Sequence, residues 1–278
     1  MSGPPPDAGT HDPAARVRLC GVELDAITER ACIEFILSRL DAGRGGWVVT
    51  VNLDHLRRLV CDAGYARLCG GATLRVADGM PLIWASRVRG TPLPERVAGS
   101  QLIATLSAAA ARRGRSIYLL GGDAGTAEAA AAVLQVRSPA LRVAGTECPA
   151  VGFEHDDAVV AALAERLRVA RPDIVYVALG SPKQERVIAR LRDALPGAWW
   201  IGVGISFSFL AGRVRRAPPW MQRMGLEWVH RLSQEPGRLA RRYLVAGLPF
   251  AVRLMVRSAC ERVVSAPPAL VDRRGAGT

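Results

Sequence analysis

Short β-like runs alternate with longer helical ones along most of this chain. Residues 16–24 read as a short strand or hairpin arm. Residues 25–40 read as an amphipathic helix in which Ile27, Ala31 and Phe35 step by four along one face. Trp47-Val48-Val49-Thr50-Val51-Asn52 is β-rich, ends in small polar side chains and predicts the first core strand. Helical pattern covers residues 53–69, strand character residues 74–77, and a helical segment opens near Pro81. The rest of this half alternates regularly: helix over 99–113, strand over 116–122, helix over 127–135, strand over 141–145, helix over 156–170, strand over 173–179, helix over 183–195 and strand over 199–203. Such alternation predicts an α/β fold, a mostly parallel Rossmann-like sheet with helices on both faces and right-handed crossovers.

The texture changes at residue 212. Arg213, Arg215, Arg216, Arg223, Arg231, Arg238, Arg241 and Arg242 face only Glu227 and Glu235 as acids. Trp220, Met221, Met224, Leu226, Trp228, Val229, Leu232, Leu239 and Tyr243 are interleaved with them, giving amphipathic helical pieces broken at Pro218-Pro219 and Pro236. The expected organisation is therefore a disordered tail over 1–15, an α/β catalytic domain over 16–211, a basic helical appendage over 212–264 and a second disordered tail over 265–278.

Composition adds two points. Net charge is +12, and it is carried by 36 arginines beside a single lysine, Lys183. Such a balance suits phosphates, polyanions or an anionic membrane face. Six cysteines, Cys20, Cys32, Cys61, Cys69, Cys148 and Cys260, lie in apolar stretches without a C-x-x-C pair, as small core residues of a reduced compartment would. The first 15 residues lack the apolar region of a signal peptide. The longest apolar run, Tyr243 to Met255, contains Pro249 and Arg253 and is too short to span a bilayer, so a cytoplasmic protein is expected.

Four stretches carry candidate chemistry. Asp78-Gly79 closes an apolar run with a turn signal, which sets Asp78 at the open sheet edge where α/β proteins bind ligands; capping the helix near Pro81 is the other role that fits. Gly121-Gly122-Asp123-Ala124-Gly125 follows a strand and opens a helix, so it offers backbone N–H groups to a phosphate or is a plain turn; its spacing departs from the dinucleotide fingerprint. Gly180-Ser181-Pro182-Lys183-Gln184-Glu185 contains an S-x-x-Q capping box, yet it also puts the only lysine in a first helical turn, where an anionic ligand would offset the unfavourable dipole. Arg231, Arg238 and Arg241 are spaced by 7 and 3, suited to chelating a diphosphate or to a nucleic-acid patch. No D-x-D, G-x-S-x-G or H-E-x-x-H motif occurs, and His11, His55, His155 and His230 show no ligand spacing.

Taken together, Thr50-x-Asn52, Asp78-Gly79, Pro94-Glu95-Arg96-Val97-x-Gly99, Gly180 to Glu185, Phe209-Leu210-Ala211-Gly212, Arg216-Ala217-Pro218, Trp220-Met221-Gln222, Gly225-Leu226-Glu227-Trp228 and Gln234-Glu235-Pro236 resemble the WecG/TagA/CpsF family of bacterial glycosyltransferases. The resemblance implies inverting, metal-independent transfer of a sugar, often of the N-acetylmannosamine type. It runs from a nucleotide-diphosphate donor, taken as UDP-linked, to a polyprenyl-diphosphate-linked sugar, with no cofactor. Asp78 would be the general base, and Thr50, Asn52, Arg96 and Gln184 would line the substrate pocket. Gly121, Gly122, Gly180 and Lys183 are the candidates for the nucleotide. Arg231, Arg238 and Arg241 would hold the lipid diphosphate, with the protein peripheral on the inner face of the cell membrane. Nucleic acid is not an expected partner, and a homo-oligomer is compatible with the pattern. One position departs from the family: Phe207-Ser208-Phe209 has serine where an acid is common.

Overall fold

In the computed structural model, which describes residues 15–265, the first two strands, β1 (Arg16–Leu19) and β2 (Val22–Asp25), make an antiparallel hairpin. The side chain of Asp25 then accepts from the Arg75 N–H at 2.7 Å. This use of Asp25 shortens the helix predicted to begin there. Thr28 caps α1 (Glu29–Asp41) instead, and the face that faces the core is Cys32, Ile36, Leu37 and Leu40, with Ala31 exposed.

The remaining strands are β3 (Gly46–Val51), β4 (Leu74–Ala77), β5 (Ser116–Gly121), β6 (Arg142–Glu147), β7 (Ile174–Ala178) and β8 (Trp199–Gly202). They form one sheet in the order β4-β3-β8-β7-β5-β6, parallel at every pairing. Because both faces are covered, the strands are apolar on both sides. Val49, Val51, Val175, Val177 and Trp200 point into one core, and Val48, Val76, Ile174, Tyr176 and Ile201 into the other.

The first core is completed by α2 (Leu53–Cys61), α3 (Ala63–Leu68), α4 (Met80–Arg89), α7 (Asp157–Ala170) and α8 (Lys183–Leu191). The second is covered by α1, α5 (Gly99–Arg112), α6 (Thr126–Arg137) and α9 (Ser206–Leu210). The helix predicted over 53–69 is broken at Asp62, whose carboxylate leaves the first helix to cap the second through the Tyr65 N–H. Chain leaves β3 and β7 toward one face and β5 and β8 toward the other, so crevices open along the sheet's carboxyl edge.

Beyond residue 211 the chain is helical: α10 (Pro219–Arg223), α11 (Glu227–Gln234), α12 (Pro236–Ala240), a π-helical turn (Arg241–Gly247) and α13 (Leu248–Ser265). Helix α13 lies on α4 and sends Phe250 and Leu254 into the first core. Pro249 does not stop it: the π-helical turn Arg241–Gly247 runs directly into α13, and the helix continues past the proline. The helical stretch Arg241–Arg262 is thereby long and apolar enough to cross a membrane by length and composition, which the shorter apolar run did not predict. The predicted tails lie outside the described residues apart from Ala15 and Ser265. All six cysteines are unpaired; Cys20, Cys32 and Cys69 are buried as expected, but Cys61, Cys148 and Cys260 are exposed.

Candidate active site

Strand β4 delivers Asp78 to the carboxyl edge of the sheet, where its N–H donates to Val51 O at 2.8 Å. Its carboxylate does not cap α4, whose N-cap is Gly79 with no side-chain bond. Instead Oδ2 accepts from the Gly99 N–H at 3.3 Å, at the start of α5. The segment between α4 and α5 is pinned beside it. The Val97 N–H donates to Ala77 O at 2.8 Å, and the Glu95 carboxylate accepts from the Glu29 N–H at the start of α1. Arg96, between those two anchors, is held toward Asp78.

Burial pushes the Asp78 carboxyl above the usual aspartate range. The Arg96 guanidinium and the Gly99 N–H pull it back, the Glu227 carboxylate adds to the rise, and His55 opposes it. The result is a half-buried carboxylate that is easier to protonate than a surface aspartate, the condition a general base needs.

A chain of buried polar contacts links Asp78's neighbours to the other strand ends. Asn52 ends β3 and caps α2, its Oδ1 accepting from the Asp54 and His55 N–H groups at 3.0 and 3.1 Å. His55 Nδ1 accepts from the Asn52 N–H at 3.4 Å, and its Nε2 lies 3.4 Å from Glu185 Oε1. Gln184 donates to the same Oε1 at 2.8 Å while its own Oε1 accepts from the Gly204 N–H at 3.1 Å. Thr50 closes the chain, donating to Gly202 O at 3.4 Å. Two glycines are required by this packing: a Cβ on Gly202 would lie 2.5 Å from Gln184 Nε2, and one on Gly99 3.2 Å from Thr50 Oγ1.

Thr50, Asn52, Asp78, Arg96 and Gln184 are thus brought together. The capping box predicted at Ser181 and Gln184 is not formed. Helix α8 has Pro182 at its N-cap with no side-chain bond, Ser181 meets the Tyr65 hydroxyl at 3.2 Å, and Gln184 is committed to Glu185 and Gly204.

Glu185 belongs to the stretch quoted from the sequence, but its pairing with His55 was not read there. They stand 130 positions apart, so no spacing reveals them. Burial works against ionised Glu185, but His55, Gln184 and Ser181 together outweigh it and hold the carboxyl below its usual range. A depressed carboxyl stabilises the fold above its unfolded pKa of about 4.3, and that contribution is lost as pH falls through the folded value. Glu185→Gln is therefore expected to melt at a lower temperature than the parent at pH 7, with the gap closing on acidification below about pH 4.3. Thermal melts across pH test this, and a gap independent of pH would contradict it.

The glycine turn lies farther along the edge. The Gly122 N–H donates to Ala178 O at 2.8 Å, and Gly121 and Gly122 hold φ of +95° and +84°. Side chains are excluded there: a Cβ at Gly121 would meet Leu179 at 2.7 Å, and one at Gly122 would meet Thr126 at 2.4 Å. Helix α6 begins after Gly125 without a side-chain cap, and Arg213 reaches this loop. Ser208 donates to Asp123 at 3.4 Å. Gly180, with φ +71°, lies two residues past the end of β7. Asp78 and Gly122 lie at the ends of strands four places apart, roughly 19 Å at ~4.8 Å per strand.

Lys183, in the first turn of α8, finds its partners within the chain. Its Nζ pairs with Glu154 at 2.8 Å and lies 5.3 Å from the Phe153 ring centroid, so a carboxylate of the same chain offsets the dipole penalty that the sequence assigned to a ligand.

The appendage closes over the Asp78 end. Arg96 Nη1 is 3.3 Å from Glu227 Oε2, and Arg216 Nε is 3.9 Å from Glu227 Oε1. Arg242 pairs with Asp54 at 3.0 Å, and Asp54 also takes Arg57 and Arg58, each at 3.1 Å. Arg231 stands one turn after Glu227 on the same face of α11. Buried guanidinium atoms without a hydrogen-bond partner include Arg216 Nε and Nη2, Arg231 Nε and Arg242 Nε. Arg241 is exposed, and the side chain of Arg238 lies outside what the structure describes. Arg216 and Glu227 are further members of the site; the signal for Glu227 was its being one of two acids among the appendage arginines. Among the described residues, no three His, Cys, Asp and Glu side chains are grouped to hold a metal ion.

Known proteins resemble the chain over this whole arrangement. Residues 17–263 match the model of the Glycosyl transferase WecG/TagA/CpsF family. The N-acetylglucosaminyldiphosphoundecaprenol N-acetyl-beta-D-mannosaminyltransferase of Bacillus subtilis (strain 168) is 32% identical over 202 residues, 73% of this chain and 77% of that protein. The protein of the same description from Bacillus spizizenii (strain ATCC 23059 / NRRL B-14472 / W23) is 30% identical over 202 residues, 73% of this chain and 76% of its own length.

Proposed function

The chain belongs to the WecG/TagA/CpsF family and is a glycosyltransferase, and from that premise we propose that it transfers an N-acetylmannosamine-type or related hexose from a nucleotide-diphosphate donor to a polyprenyl-diphosphate-linked sugar. The activity for which the two Bacillus relatives are named supports the lipid-linked acceptor. Asp78 carries the reading: a half-buried carboxylate at the carboxyl edge, with an arginine beside it.

In the proposed reaction the acceptor hydroxyl attacks the anomeric carbon from the face opposite the diphosphate. Its proton passes to Asp78, the new C–O bond forms, and the bond from the anomeric carbon to the diphosphate oxygen breaks with inversion. Charge growing on the departing diphosphate is met by guanidinium groups, Arg96 and Arg216, rather than by a metal. The donor lies along the strand ends with its sugar near Asp78, Thr50 and Gln184. Its nucleoside extends toward Gly121, Gly122 and Gly180, where α6 begins without a side-chain cap. UDP is the proposed carrier.

Product analysis with and without a polyprenyl-diphosphate sugar tests this reading. Transfer that requires the lipid acceptor supports it, and release of free sugar at the same rate without acceptor identifies a hydrolase instead. A thermal-shift series over nucleoside diphosphates identifies the carrier, because a ligand bound only by the folded state raises its melting temperature.

The acceptor's lipid calls for a membrane face, and α13 offers one. Gly247, Phe250, Leu254 and Ser258 are buried, while Val245, Leu248, Val252 and Val256 are exposed. The two stripes repeat at helical spacing and are offset by two residues, so they lie on opposite sides of one helix. Trp220, Met224, Trp228 and Val229 add exposed apolar surface earlier in the appendage. We place the protein peripherally on the cytoplasmic face of the membrane with this surface in the headgroup layer. Val252→Asp with Val256→Asp is expected to weaken binding to anionic vesicles by about 3 kcal/mol, on the order of a hundredfold in partition. Unchanged sedimentation with vesicles would sink the assignment.

A further inference from the structure

The two halves of the chain meet at Glu227. Just before it, Gly225 (φ +69°) lets the backbone press onto the first turn of α4, where a Cβ would lie 2.7 Å from both Met80 and Trp84. That turn follows Asp78-Gly79 directly, so the approach fixes where α11 begins relative to Asp78. Glu227, the first residue of α11, then spans Arg96 from the core and Arg216 from the appendage. Arg242 with Asp54 makes a second clasp, on the helix that Asn52 caps.

Both guanidiniums would otherwise repel each other, and Arg216 keeps Nε and Nη2 buried without hydrogen-bond partners. Buried donors without acceptors are costly unless a ligand supplies the acceptors. A diphosphate has the oxygens to do so, bidentately for each guanidinium.

We propose that Glu227 is a positioning residue of the transfer site: it gathers Arg96 and Arg216 into one pair beside Asp78 and sets the spacing of their two forks. This rests on the reading of Asp78 as base and of a nucleotide-diphosphate donor. The groups facing Asp78 are Arg96 from the segment between α4 and α5, the Gly99 N–H of α5, His55 of α2 and Glu227 of α11. Glu227 therefore acts on both partners of the reaction. Its charge favours protonation of Asp78, and it holds Arg96, whose charge opposes it.

The test uses the full chain with Glu227→Gln, which keeps the shape and removes the charge. UDP, GDP, ADP and TDP are titrated by calorimetry, and transfer is followed across pH with the lipid-linked acceptor. The nucleotide that binds the parent most tightly is expected to lose about tenfold in affinity, with a matching rise in donor KM. The acid limb of kcat/KM should also move to lower pH, since a raising charge is gone and Arg96 is freed toward Asp78. A merely structural role would lower the melting temperature and leave the acid limb where it was, which would overturn the proposal. Tighter nucleotide binding would overturn it too, by making Glu227 a competitor for the arginines. Should Glu227→Gln fail to fold, Arg216→Lys, which keeps the charge and loses the fork, must weaken the same nucleotide; unchanged affinity there sinks the proposal. The calorimetric arm needs no base. Failure of Asp78 as base would appear separately, as turnover retained in Asp78→Asn with the nucleotide result intact.

Discussion

Asp78→Asn is expected to lower kcat by about 10²–10⁴-fold, the range a positioned general base contributes, while nucleotide binding changes little. The size of the loss follows from what asparagine keeps and loses. Its side-chain oxygen can still accept from the Gly99 N–H, so the start of α5 and the neighbouring Arg96 loop stay in place. It cannot take the acceptor's proton. The same substitution is expected to raise the melting temperature at neutral pH. Burial raises the Asp78 pKa, so the folded protein binds the proton more tightly than the unfolded chain does. Stability then falls as pH rises from about 3.9 through the folded value, and at pH 7 the ionised carboxylate costs the fold free energy that asparagine does not. Loss of turnover with a gain in stability marks a strained functional group, whereas a residue of purely structural use loses both. Activity of the parent should decline on the acid side as Asp78 takes up its proton, with a midpoint above that of an ordinary aspartate. Near-full turnover in Asp78→Asn would remove the base assignment.

The edge position of Asp78 was legible because a strand and a turn signal are both local, and so was the glycine turn after β5. Strand and helix alternation gave the parallel sheet for the same reason. What failed depended on contacts across the fold. The start of α1 was off because Asp25, a plausible helix start by pattern, is spent on the Arg75 N–H of a distant strand; of the predicted face, Ile27 and Phe35 do pack on the second core and only Ala31 is exposed. Ser181 and Gln184 have the spacing of a capping box, but Tyr65, Glu185 and Gly204 supply better-placed partners. Lys183, for which the sequence suggested an anionic ligand, also has a partner that no local pattern announced, Glu154, 29 residues earlier. The His55–Glu185 pair left no local trace at all. In the appendage the charge polarity was visible, yet which acid mattered was not: Glu227 differs from Glu235 only in where α11 starts.

Arg96→Ala is expected to cost about 10²–10³-fold in kcat, comparable to deleting one preorganised donor to a developing anion. Arg96 is the arginine that both shares Glu227 with the appendage and lies within electrostatic reach of Asp78. Its loss should therefore fall more on the chemical step than on donor affinity, because the diphosphate carries most additional charge as its bond to the sugar breaks. Arg96→Lys should recover little, since an ammonium group cannot bridge two oxygens in the plane of a guanidinium. Added guanidinium salts should restore part of the turnover to Arg96→Ala and none to Asp78→Asn, whose missing function is proton acceptance. Lys183→Ala supplies the contrast. With its ammonium already paired to Glu154 and placed against Phe153, it should change kcat by less than about threefold and act chiefly on the melting temperature. If Lys183→Ala lost as much turnover as Arg96→Ala, the lysine would have to leave Glu154 when the donor binds, and the diphosphate would have to be moved from the Arg96 side of the sheet edge toward α8.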